Sequence, residues 1–265
     1  MRSRLTFRRP CSLDSCIAHL VLTAVPGVEE WRDGAFRRVL RLPGGPAIAA
    51  LRPRARWVDL DLTGAAPADV PLAVEQCRRL LDLDADPVAI GDVLRADPVL
   101  APLWDASPGD RIPGAVDAGE FAIRAVLGQQ VSTAAARTHA ARLVEAAGER
   151  VDDPDGGLTH LFPTPAAIAA MDPSVLRMPA TRRTTVLRLA AGEAAEGLPG
   201  IGPWTLAMIA MRGRGEADAF PATDLGVKVA AGRLGLPAGR ALVERAERWR
   251  PFRSYAAAYL WSTLG

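Results

Sequence analysis

The stretch Leu198-Pro-Gly-Ile-Gly-Pro-Trp-Thr205 limits the fold of this chain more than any other. Two glycines two positions apart permit a tight turn whose backbone amides point outward, a conformation that residues with a Cβ resist. Pro203 suits the first turn of a new helix, where its missing N–H costs nothing. A turn that ends in a helix N-terminus gathers free amides in one place and so offers a site to an anion. Leu198 and Ile201 are expected to bury inward and hold the turn shut. On glycine spacing alone, a plain connection between two helices is the favoured reading.

The chain on either side of residue 67 follows two different patterns. In residues 1–66, Leu5–Arg9, Phe36–Leu42, Ala47–Arg52 and Trp57–Leu62 form short extended runs separated by Asp33-Gly34, Pro43-Gly-Gly45 and Pro53-Arg54. One helix is expected from about Leu13 to Thr23, with Ser12 as its cap. From Pro67 onward the period becomes helical: Val70, Val74, Cys77 and Leu81 share one face. Glu120–Leu127 and Val131–Ala147 flank a Gly128-Gln-Gln130 break, prolines punctuate short helices through Met178, and Ser254 to about Leu264 closes the chain. The expected fold class is α+β: a mostly helical body, residues 67–265, carrying a small N-terminal antiparallel-sheet domain, residues 1–66.

Nearly half of the residues are apolar (49%), which is enough to build a sizeable core. The net charge is only +2, but Arg177 to Arg253 holds twelve Arg and one Lys against seven acidic residues. Such an excess is the footprint of a polyanion partner, or equally of arginines decorating solvated helices. Lys228 is the only lysine, so amine chemistry has a single candidate. Cys11, Cys16 and Cys77 lack paired spacing and His19, His139 and His160 are scattered, so neither a disulfide framework nor a side-chain metal site is expected. The longest apolar run, Cys16 to Val28, is interrupted by His19 and Pro26 and is too short to cross a bilayer. No cleavage pattern of small residues follows it, so no membrane association and a cytoplasmic, nucleoid-associated location are expected.

Four segments in order carry a resemblance: Phe121-Ala-Ile-Arg-Ala-Val-Leu-Gly-Gln-Gln-Val-Ser132, Leu198-Pro-Gly-Ile-Gly202, Phe220-Pro-Ala-Thr-Asp224 and Ala246-Glu-Arg-Trp-Arg-Pro-Phe-Arg-Ser-Tyr255. Together they resemble the helix-hairpin-helix DNA glycosylases, in particular the AlkA-type 3-methyladenine DNA glycosylase II branch. The resemblance covers nearly the whole chain, sheet domain included, and puts the helix-hairpin-helix motif at about 185–212. It implies a monofunctional hydrolase of base excision repair, which cleaves the N-glycosidic bond of alkylated purines of the 3-methyladenine and 7-methylguanine type. The implied partner is double-stranded DNA containing alkylated bases, and a monomer is expected.

Asp224 stands where this superfamily carries its catalytic aspartate. Breaking an N-glycosidic bond builds positive charge on the sugar, and a nearby anion stabilises it; the same group can orient or deprotonate water. Asp224 is also placed to cap the helix that begins Leu225-Gly-Val-Lys228, and one residue can do both. Trp204 occupies the position at which lyase-competent relatives place a nucleophilic lysine, and an indole cannot form a Schiff base. Lys228, one turn from Asp224, reads as a solvated or phosphate-facing charge. Trp204 and Trp261 match two aromatic positions of the base pocket, where electron-poor, often cationic purines stack. Met208 stands where a pocket tyrosine can occur, which thins that cage. The resemblance assigns Gly200, Ile201, Gly202 and Thr205 to DNA binding and Gln130 to the gap left by a flipped base. An apolar wedge is more usual there, and a solvent-facing helix-break residue is the alternative for Gln130. No cofactor is implied beyond a monovalent cation that hairpin backbone carbonyls can hold.

The chain departs from the branch at one place. Only Thr184–Gly197 separates Arg183 from the hairpin, about one helix less than the branch has. A single helix, about Arg182 to Ala195 and roughly 20 Å long at about 1.5 Å per residue, is expected to lead into the turn. Two other readings compete. A non-catalytic helix-hairpin-helix binder of damaged or distorted DNA has no need of Asp224, Trp204 and Trp261. A bifunctional or cluster-containing relative would need a hairpin lysine or a four-cysteine run near the C-terminus, and the chain has neither.

Overall fold

The computed structural model describes residues 1–264; Gly265, the last residue of the expected helical body, lies outside the described residues. Five strands, β1 (Arg2–Thr6), β2 (Glu29–Arg32), β3 (Ala35–Leu42), β4 (Gly45–Pro53) and β5 (Trp57–Thr63), form one antiparallel sheet in the order β1-β5-β4-β3-β2. The β2–β3 turn is made by Asp33 and Gly34, both at positive φ (50° and 73°). That pair matches the right-handed twist of the strands it joins. β1 starts three residues earlier than the sequence pattern indicates, because Leu5 opposite Val58 sets its register against β5. The helix α1 (Asp14–Thr23) is preceded by Leu13 and has no side-chain cap. Ser12 instead pairs through its backbone with Gly109 and Arg111.

The core of the sheet continues past residue 67. Ala73, Cys77 and Leu80 of α2 (Val70–Leu80) pack in one cluster with Phe36, Leu40, Leu51 and Leu60. The remaining helices are α3 (Pro87–Arg95), α4 (Ala101–Ala106), α5 (Ala118–Leu127), α6 (Thr133–Ala147), α7 (Pro165–Ala170), α8 (Ala180–Ala190), α9 (Pro203–Met208), α10 (Leu225–Arg233), α11 (Arg240–Ala246) and α12 (Arg253–Ser262). Side-chain caps begin several of them: Asp86 on α3, Asp117 on α5, Ser132 on α6, Thr164 on α7 and Asp224 on α10.

The body has two apolar clusters. One gathers Ile123, Leu127, Leu143, Ile168 and Val186 from α5, α6, α7 and α8. The other gathers Leu94, Trp104, Val227, Trp249 and Leu260 around α3, α4, α10 and α12. The segment that carries the hairpin and α9 runs between them. A single α-helix, α8, leads into the hairpin as the residue count requires. It ends at Ala190, five residues earlier than expected, because Gly192 sits at φ 84°, a conformation that terminates a helix. Among the described residues no helix is long and apolar enough to cross a membrane, and no group of three or more His, Cys, Asp or Glu is placed to hold a metal ion.

Candidate active site

The hairpin is closed by apolar burial and by one hydroxyl. Leu198 is buried, and Ile201 packs on the α5–α8 cluster. The buried Thr185 of α8 donates to the Pro199 carbonyl at 2.6 Å. Gly200 sits at φ 79°, where a side chain would be strained. Gly202 needs a different explanation. Its φ of −103° suits any residue, and a Cβ added there would meet nothing within 4 Å. Nothing inside the folded chain calls for glycine at 202, so the bare backbone faces open space. Trp204 and Thr205, in the first turn of α9, have backbone amides with no carbonyl of their own helix to bond.

The resemblance points to Gln130, whereas the neighbour Gln129 carries no mark in the sequence. Gln130 is exposed, at φ 55°, in the turn between α5 and α6. Gln129 turns the other way, and its Nε2 donates to the Gly200 carbonyl at 3.0 Å and to Thr205 Oγ1 at 2.9 Å. Gln129 therefore ties the hairpin to the turn that displays Gln130. Thr205 is buried with its hydroxyl engaged by Gln129, so its side chain faces inward. Two of the hairpin carbonyls offered to a cation, those of Pro199 and Gly200, already accept hydrogen bonds from Thr185 and Gln129.

Asp224 is the N-cap of α10, and its Oδ1 accepts from the Val227 amide at 2.8 Å. The same Oδ1 accepts from Trp261 Nε1 at 2.8 Å, and Oδ2 accepts from Trp204 Nε1 at 2.7 Å. Three donors from α9, α10 and α12 thus fix one half-buried carboxylate. Gly226 lets the third of these approach: a Cβ there would stand 3.0 Å from both Asp224 Oδ1 and the Trp261 ring. The nearby Asp218 is committed elsewhere, to Arg253 at 2.8 Å and to Arg250. Lys228, four residues after Asp224 in α10, is exposed.

A cavity of about 300 Å³ opens between α1, α5, α6 and α9; Asp224 is not among the residues that line it and is tied to its wall through Trp204. Trp204 and Met208 line it; Trp261 does not, and sits with its ring edge against Asp224 and Gly226. A buried ionic group from the sheet domain and α5 forms another wall. Arg38 bridges Glu29 (2.8 Å) and Glu120 (2.9 Å), and Arg124 bridges the same two carboxylates at 3.1 and 3.0 Å. Burial pushes the Glu29 carboxyl up, but Arg124 and Arg38 together hold it below the usual carboxylate range. An aromatic and thioether wall, a fixed carboxylate bonded to the far edge of its tryptophan and a glycine-containing hairpin leading into the same helix can hold a planar heterocycle and place an anion near the atom to which that heterocycle is bonded.

A family model described as the AlkA N-terminal domain matches residues 2–117, and one described as HhH-GPD superfamily base excision DNA repair protein matches residues 123–252. The chain is 50% identical over 280 residues to a Mycobacterium tuberculosis protein named probable bifunctional transcriptional activator/DNA repair enzyme AlkA. That match takes in 98% of this chain and 56% of the relative, so the chain spans little more than half of that protein's length. It is 32% identical to the Escherichia coli protein named DNA-3-methyladenine glycosylase 2, over 98% of this chain and 97% of the relative. The fold is similar to that of a 3-methyladenine DNA glycosylase from Archaeoglobus fulgidus, with a TM-score of 0.83 at 22% identity over 98% and 97% of the two chains.

Proposed function

This chain belongs to the AlkA branch of the HhH-GPD superfamily of base excision DNA repair proteins, and from that membership we propose that it is a monofunctional DNA N-glycosylase releasing alkylated purines from double-stranded DNA. The observation that carries the proposal is the Asp224 carboxylate, held by two indole N–H groups and a helix N-terminus and joined through one of those indoles, Trp204, to the cavity wall. Three fixed donors keep the charge where it is needed before the reaction begins, so no reorganisation is spent during bond cleavage. A flipped base enters the cavity over Trp204 and Met208, and its sugar C1′ remains outside, next to Asp224. As the C1′–N bond breaks, its electron pair stays on the base and the sugar becomes cationic beside the carboxylate. Water then bonds to C1′, with Asp224 positioned to orient it.

Trp204 in place of a hairpin lysine supports hydrolysis over lyase chemistry, since Schiff-base formation needs an amine at that position. The DNA-binding roles proposed for the hairpin follow from its backbone. Gly200, Ile201 and Gly202 let a phosphate approach the amides of the turn, with Thr205 supporting the turn from within through Gln129, and Gln130 projects from the adjacent turn into the gap left by the base. The proposal extends to a monomer that acts on chromosomal DNA in the cytoplasm. A purely DNA-binding reading accounts for the cap that Asp224 gives α10 but not for the two indole bonds that fix its charge. The deciding experiment is single-turnover incubation with methylated duplex DNA. The expected result is free methylated purine with intact strands until alkali is added. Strand cleavage without alkali overturns the monofunctional assignment, and no base release overturns the enzymatic one.

A further inference from the structure

Six charged side chains line the cavity: Glu29, Arg38, Glu120, Arg124, Arg137 and Arg212. Arg38 and Arg124 are matched by the two glutamates. Arg137 donates to the Ala24 carbonyl at 2.8 Å, and Arg212 has no carboxylate partner either, which leaves the cavity with two excess positive charges. Arg212 is the one that faces the base platform. Trp204, Met208 and Arg212 follow one another at four-residue spacing and all three line the cavity. The last turn of that helix, Ile209–Gly213, is wound as a π-turn, a local distortion that re-aims side chains and recurs at functional sites.

The guanidinium is fixed from three directions. Its Nε donates to the Pro113 carbonyl at 2.7 Å, its Nη1 donates to His19 Nε2 at 2.7 Å, and the Phe121 ring lies 5.1 Å beneath it. Accepting that bond keeps His19 uncharged; the charge of Arg212 and burial hold its imidazole well below the usual range. Burial pushes the Arg212 guanidinium down to about 10, whereas its neighbour Arg124, with two carboxylates at hand, is pushed up. Nη2 of Arg212 has no protein acceptor among the described residues. A desolvated charge without a counter-ion is costly unless a ligand completes it.

We propose that Arg212, clamped by His19, Pro113 and Phe121, is a specificity-determining residue of the base cavity that favours neutral purine lesions carrying an acceptor on the edge away from the sugar. The proposal rests on the glycosylase reading above. When the C1′–N bond breaks, its electron pair goes to the base nitrogen, and water adds its oxygen to C1′ and gives up one proton. A neutral base departs as an anion and takes up that proton. A cationic base departs already neutral, and the proton passes to solvent. Only the neutral lesion builds negative charge for the guanidinium to stabilise, through a hydrogen bond from Nη2 to a ring nitrogen or carbonyl. A cationic lesion instead meets a like charge in a desolvated space, which opposes the attraction of the Trp204 face.

The test compares single-turnover release of 1,N6-ethenoadenine, a neutral alkylated purine whose free ring nitrogens are acceptors, with release of 7-methylguanine, a cationic one. Arg212→Gln is expected to slow ethenoadenine release by about 10²- to 10³-fold, the range seen when one preorganised donor is removed, and to leave 7-methylguanine release unchanged or faster. Arg212→Lys, which keeps the charge without the fork, is expected to fall between, and it carries the same comparison should Arg212→Gln fail to fold. Equal slowing of both substrates assigns Arg212 a structural role and overturns the proposal, as does no slowing of either. Polarisation titration of the fluorescent free base ethenoadenine gives an independent reading, with weaker binding expected in Arg212→Gln. If the wild type releases neither base from DNA, the proposed activity falls, and the titration then decides Arg212 by itself: equal affinities overturn the proposal.

Discussion

At the scale of single residues, the environment of Asp224 alters what its amide variant should do. Each carboxylate oxygen accepts an indole N–H, and Oδ1 accepts the Val227 amide as well. Asp224→Asn can keep the cap and one indole bond, but its NH₂ group must then face the other indole donor. A cost of about 1–3 kcal/mol is expected for one buried donor left without a partner. The charge that faces the sugar cation is also lost, which typically lowers a rate by about 10²–10³. The expected outcome is a folded protein with a lower melting temperature and base release reduced by at least about 100-fold, with affinity for undamaged duplex retained. Wild-type rates in Asp224→Asn, measured in single turnover, would remove the carboxylate from the mechanism. Asp224 itself was legible in the sequence because its place after the hairpin and its helix-capping residue type agree. The two indole bonds were not, since a motif position does not say whether a tryptophan presents its face or its N–H edge. Gln129 and Gln130 show the same limit: identical side chains at adjacent positions point in opposite directions, and the left-handed backbone at Gln130 that separates them has no mark in the residue types.

At the scale of elements, the site exists because three helices end or begin against one another. The N-terminus of α10 brings Asp224, the start of α9 brings Trp204, and the last turns of α12 bring Trp261. The meeting of α10 with α12 depends on Gly226, where a Cβ would stand 3.0 Å from both the carboxylate and the indole. In most exposed helices, replacing glycine with alanine gains about 1 kcal/mol. Gly226→Ala is expected to lose that gain to crowding and to displace Asp224 or Trp261 by a few tenths of an ångström. Catalytic groups tolerate such shifts poorly, so kcat should fall about tenfold or more with the melting temperature within a few degrees of wild type. A variant that is both more stable and fully active would show that the contact is slack. The sequence pattern gave α5, α6, α8 and α12 within a few residues, because caps and apolar periods are local. It missed α3, α4 and α11, which are short or amphipathic against two neighbours, so no single face repeats long enough to be read.

At the scale of the whole molecule, the change of pattern at Pro67 marks where strands give way to helices but not where one core ends, since α2 belongs to the cluster beneath the sheet. Composition cannot reveal such sharing: apolar spacing shows that a face is buried, not what buries it. The same holds for the polar ties between distant segments. Asp82, just after α2, accepts from Tyr255 of α12 at 2.9 Å and from the Ile112 amide at 3.2 Å, both at Oδ2, and so joins the sheet core to the C-terminal helix. Burial pushes its carboxyl up from 3.8 to about 6, although the Tyr255 hydroxyl, the Ile112 amide and Arg111 all act to lower it. A carboxyl raised on folding destabilises the native state wherever it is charged, so its cost is fully present above about pH 6 and is relieved as pH falls toward 4. Glu29 acts in the opposite sense. Burial works against its charge, but Arg124 and Arg38 bring it below 4.5, so its contribution is present at neutral pH and is lost only as pH falls further. Stability should therefore rise on mild acidification before it collapses. Asp82→Asn removes the first effect and keeps the geometry. One amide oxygen can accept both bonds now made to Oδ2, and asparagine tolerates the φ of 52° at this position. A shift of about 2 pH units corresponds to roughly 3 kcal/mol, an upper bound for a site that relaxes. Urea denaturation of Asp82→Asn at pH 7.5 should show a gain on the order of 1–3 kcal/mol, and its stability should stay flat between about pH 6 and 4.5, where the wild type climbs. A variant less stable than wild type at both ends of that range would mean that the charged carboxylate, not its neutral form, is what holds the two halves together.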